Sequence, residues 1–143
     1  MSVIYCEITD PPTYTEGIEH WTRETDADGE AMGELIELLV NNDHYLKQKA
    51  ERANHVTPVS LPASGWAGSA APYTQTVAVE GLTAEDNPVM VKAIADGATP
   101  EQVKAYNKAF GMIDDGDTAD GQATFRCYNK KPSTDITVGL KGV

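Results

Sequence analysis

The hydrophobic and polar pattern changes character twice along the chain. Residues 1–27 show no apolar periodicity, and Pro11-Pro12 forbids a helix there and favours extended backbone. From Gly29 to Asn54 apolar residues fall at Met32, Leu35, Ile36, Leu39, Val40 and Leu46, the spacing of one helical stripe. Asp26 and Asp28 offer caps at its start. Acids (Glu30, Glu34, Glu37) crowd the first half and bases (Lys47, Lys49, Arg52) the last, as the helix dipole favours. Such a helix is roughly 39 Å long at about 1.5 Å per residue.

As a heptad, the stripe places Met32, Leu39, Leu46 and Ala53 at a, and Leu35, Asn42 and Lys49 at d. The seam is apolar for two heptads and then decays. A seam Asn, here Asn42, fixes register and oligomer state at a cost in stability. Met32, Leu35, Leu39, Asn42 and Leu46 are therefore expected to form an oligomer interface; the alternative is packing of the helix on its own β-domain.

After Pro58 the pattern is that of strands. Tyr73–Glu80 alternates, with Tyr73, Gln75, Val77 and Val79 on one face. Short strands are also predicted at Val59–Leu61, Val89–Ile94, Thr124–Tyr128 and Ile136–Leu140, with a further short strand at Met112–Ile113. Thr99-Pro100-Glu101 starts a helix whose face is Val103, Tyr106, Ala109 and Phe110 and whose end is Gly111. Asp114–Gly121 reads as a loop. The fold class is α+β, mainly β: an extended arm (1–28), a long helix (29–55), and a small β-sandwich or partly open barrel with one packed helix (56–143).

Charge narrows the partners. Net charge is −11 from 22 acids and 11 bases, which disfavours nucleic-acid phosphate and anionic membranes. No run approaches the roughly 18 apolar residues of a membrane span, and the start lacks the basic and apolar regions of a secretory signal. Cys6 and Cys127 form no CxxC pair, and a buried free thiol is expected at Cys127.

Candidate chemistry is sparse. Placed from Asp115, an EF-hand frame would put Ala119 where an oxygen ligand is needed and Arg126 where the last glutamate belongs, so a solvated loop is expected. His20, His44 and His55 have no metal-ligand spacing, and no zinc or other cofactor site is expected; His20 beside Trp21 reads as packing. Ser64-Gly65-Trp66-Ala67-Gly68 is neither a nucleophile elbow nor a phosphate loop. Its glycines suit a backbone wrapped around a buried Trp66. Trp66 and Tyr73 are alternatively candidates for stacking on a glycan. No acid pair is singled out for glycoside hydrolysis.

Leu61-Pro-Ala-Ser-Gly-Trp66, Pro72-Tyr-Thr-Gln-Thr-Val77, Asp86-Asn-Pro-Val89, Val103–Phe110 and Lys131–Lys141 resemble the C-terminal β-domain of prophage tail-fibre-like proteins. Ile18–Asp28 and Leu39–Asp43 resemble the attachment and helical segment of the same group. The resemblance implies a noncatalytic phage structural protein of the tail fibre, baseplate or fibre tip, acting in virion assembly or host-surface attachment. It implies a homotrimer with other tail or baseplate proteins as partners, assembled in the host cytoplasm. A carbohydrate-binding module recognising a host cell-wall glycan is the alternative. The chain lacks the long shaft of most tail fibres, which a collar, baseplate or tip component does not need.

Overall fold

The computed structural model describes residues 6–18, 22, 24, 25 and 28–143. His20, Trp21 and Asp26, given roles above, lie outside them. The chain separates into two compact units, Met1–Arg52 and Ala53–Val143.

Helix α1 (Gly29–Asn54) runs uninterrupted for 26 residues, all but its last two in the first unit. Asp28 caps it, its carboxylate accepting the Glu30 N–H at 2.8 Å. Residues 6–18 are irregular and lie along α1, held by the amides of Asn41 and Asn42. Arm and helix thus pack together within the first unit. α1 contains no buried residue.

The second unit is built from β1 (Val56–Leu61), β2 (Tyr73–Ala78), β3 (Val89–Lys92), helix α2 (Pro100–Phe110), β4 (Asp115–Ala119), β5 (Gln122–Cys127) and β6 (Ile136–Lys141). Two three-stranded antiparallel sheets, β1-β6-β3 and β2-β5-β4, pack together with α2, and there is no closed barrel. Alternation supplies the core. Val59 and Leu61 of β1, Ala123, Phe125 and Cys127 of β5, and Ile136, Val138 and Leu140 of β6 all point inward. Trp66, Val79, Leu82, Ala109, Ile113 and Val143 complete it.

α2 begins as its sequence predicts. Thr99 Oγ1 accepts the Gln102 N–H and Gln102 Oε1 accepts the Thr99 N–H, a reciprocal cap with Pro100 behind it. Tyr106 ties the helix to sheet β1-β6-β3: its hydroxyl accepts from Ala93 N–H at 2.9 Å and donates to Thr137 O at 2.7 Å.

Two expected elements differ. The stretch read as an acidic loop is largely strand β4, an edge strand paired to β5. Met112–Ile113 is a turn and its exit rather than a strand. Asp114 N–H bonds Arg126 O at 2.9 Å while Asp115 is the register partner of the same Arg126. Two residues therefore oppose one, a β-bulge that starts the edge strand.

Candidate functional site

The first unit presents a surface. Met32, Ile36, Leu39 and Leu46 are between 47 and 54 % exposed. Leu35 and Asn42 are half-buried. At about 100° per residue the first four fall along one strip of α1, while Leu38, also exposed, lies apart from them; Asn42 borders the strip about 40° from Leu46, and Asn41 and Tyr45 lie farther round on the flank that meets the arm.

That flank is occupied within the chain. Asn41 Oδ1 accepts the Thr9 N–H at 2.9 Å, and its Nδ2 donates to Glu7 O at 3.2 Å. Asn42 Oδ1 accepts the Thr15 N–H at 2.7 Å, and its Nδ2 donates to Thr15 O at 3.0 Å. Tyr14 and Tyr45 add a ring contact at 5.6 Å. The amide of Asn42, expected in a seam between helices, is thus spent on the backbone of its own arm. Sequence reasoning found the arm but missed its docking on α1, because paired asparagines on a helix carry no periodic signal.

The second unit explains the Leu-Pro-x-x-Gly-Trp run. Ala67 and Thr74 exchange both backbone hydrogen bonds, at 2.8 and 3.1 Å, which sets Trp66 opposite Gln75. Trp66 and Gln75 are each 4 % exposed. A Cβ placed on Gly65 would lie 2.2 Å from Gln75 Nε2, so glycine is what admits the Gln75 side chain. Trp66 Nε1 and Gln75 Oε1 are buried without a hydrogen-bond partner among the described residues. A sugar platform needs the Trp66 ring face in solvent; the ring is instead part of the core. Tyr73 is half-buried, and Lys131 Nζ sits 5.3 Å from its ring centroid while donating to Trp66 O.

The acids around β4 are engaged structurally. Arg126 pairs with Asp117 and, at 3.4 Å, with Asp115; the bond to Asp117 raises its pKa. Asp114 accepts the Tyr128 N–H at 2.7 Å, and Asp120 accepts the Ala84 N–H at 3.1 Å. Among the described residues no group of three or more His, Cys, Asp and Glu could hold a metal ion. A cavity of about 190 Å³ opens beside β4, floored by Met90, Ile113, Phe125 and Leu140. Gly116, register partner of Phe125, and Thr118, register partner of Ala123, also line it.

Both cysteines are free thiols, Cys6 exposed and Cys127 buried. Burial first, and the Asp114 carboxylate second, push the Cys127 thiol up to about 11. Such a thiol is a packing residue rather than a nucleophile. No helix among the described residues is long and apolar enough to cross a membrane. No family model matches the chain, and no curated protein or solved structure matches it either.

Proposed function

We propose that the chain is a noncatalytic phage structural protein of the tail fibre, baseplate or fibre tip, in which α1 assembles copies of the chain and the β-unit contacts a virion partner or the host surface. The observation that carries the self-assembly is the exposed aliphatic strip on a helix with no buried residue. Water-exposed apolar surface arranged along one line of a long helix marks a contact rather than a solvated face. The structural commitments of Asp114, Asp115, Asp117, Asp120 and Cys127 support a noncatalytic reading of the β-unit. The virion assignment is supported by the likeness of the Leu61–Trp66 run and the closing strand to tail-fibre-like proteins. A homotrimer is the assembly that likeness implies.

The test is to induce phage particles from a strain carrying the gene, purify them on a density gradient and label them with antibody to the β-unit. Label at the tail or baseplate is expected. Intact particles free of the protein would contradict the assignment.

A further inference from the structure

The arm changes which residues of α1 can face another helix. The d side of the frame that starts with Met32 at a contains Asn42, whose amide is closed on Thr15, and Leu35, which is half-buried. The exposed strip follows a different frame. Met32, Ile36, Leu39, Asp43, Leu46, Ala50 and Ala53 alternate by four and three residues without a break. In this frame Met32, Leu39, Leu46 and Ala53 are d positions, and Ile36, Asp43 and Ala50 are a positions. Ile36 at a beside Leu39 at d supplies knobs that a facing helix can receive, with Leu46 at the next d position.

We propose that this strip is a seam occupied by a second copy of the same chain, and that the arm selects its frame by covering the neighbouring flank at Asn42. The proposal rests on the self-assembly reading above. Two arguments favour a second copy as the occupant. Half-exposed Met32, Ile36, Leu39 and Leu46 together offer on the order of 300 Å² of apolar surface, the scale of the largest apolar patch on a typical monomer, which is often functional. This is a sizeable part of what one partner gives a standard interface of about 800 Å², whose remainder is polar. The second argument is the spacing of the strip. Its knobs recur at heptad spacing, and holes of that same spacing are what an identical helix supplies.

Asp43 is the discordant residue, because in this seam its charge meets that of its counterpart. The two frames therefore make opposite predictions at adjacent positions. Asp43→Leu should tighten association roughly tenfold or more, since a leucine replaces a carboxylate in the seam. Asn42→Leu should leave association within about twofold while releasing the arm. Sedimentation equilibrium of the full chain measures both, with circular dichroism checking that α1 persists. Tightening by Asn42→Leu and not by Asp43→Leu would place the seam in the other frame and overturn this inference while preserving self-assembly. Monomers for the unaltered chain and both variants would overturn the self-assembly reading itself.

Discussion

Asn42 and Thr15 make a reciprocal pair of hydrogen bonds: Thr15 N–H donates to Asn42 Oδ1 at 2.7 Å, and Asn42 Nδ2 donates to Thr15 O at 3.0 Å. The side-chain amide imitates a strand partner and gives an extended segment both bonds that a sheet would give it. With Asn41 one residue before, it fixes the arm along the helix.

Asn42→Ala should release this part of the arm. Two bonds worth roughly 0.5–1.5 kcal/mol each are lost. Amide exchange at Thr15 should speed up about tenfold or more, while the helix amides keep their protection. Unchanged exchange at Thr15 by NMR would mean that the arm is held elsewhere.

Gly65→Ala should destabilise the β-unit, because the new methyl would overlap the amide of Gln75, whose side chain is buried and has little room to swing away. Overpacking of this kind costs about 1–3 kcal/mol. Shortening the neighbour should relieve it: Gln75→Ala combined with Gly65→Ala should cost less than the two separate losses added. Additive losses in chemical denaturation would show that the two side chains do not compete for space.

Tyr106→Phe removes the hydroxyl that joins Ala93 N–H to Thr137 O and leaves the ring 6.0 Å from that of Phe110. The expected loss is about 1–3 kcal/mol, from two part-buried backbone groups losing a shared partner. A melting temperature equal to that of the unaltered chain would contradict it.

Cys127 sets an alkaline limit on stability. Its thiol is held up to about 11 in the folded protein against 9.0 as its ordinary value. The unfolded chain therefore loses its proton first as pH rises. The contribution is full below about pH 9, declines between about 9 and 11, and is exhausted above. Denaturation midpoints should fall across that window, and Cys127→Ala should flatten this part of the profile. At pH 8 a maleimide should label Cys6 and spare Cys127; rapid labelling of both would contradict the burial of Cys127.

The sequence made some of this plain and concealed the rest for physical reasons. Thr99-Pro100 announced α2 because caps and first-turn prolines are local chemistry, and alternation announced β2 and β6, although β6, central in its sheet, also buries Gly139 on its other face. Strand β4 was hidden because Asp115-Gly-Asp-Thr-Ala has turn composition. At a sheet edge, charges answered by Arg126 from the next strand are tolerated and discourage further pairing. The depth of Trp66 was anticipated only as one of two readings, since a Trp between glycines suits a core or a platform equally. The engagement of Asn42 was out of reach because Asn42 looks the same in a sequence whether its amide faces another helix or its own arm.

Self-association through α1 is the central claim, and Leu39 lies in the seam in either frame. Light scattering coupled to size exclusion, on the full chain and on Leu39→Asp, tests it most directly. The unaltered chain should show a mass two or more times 15.4 kDa, and Leu39→Asp a monomer of unchanged helix content. A monomeric unaltered chain at high micromolar concentration, or an oligomer whose mass Leu39→Asp leaves unchanged, would contradict it.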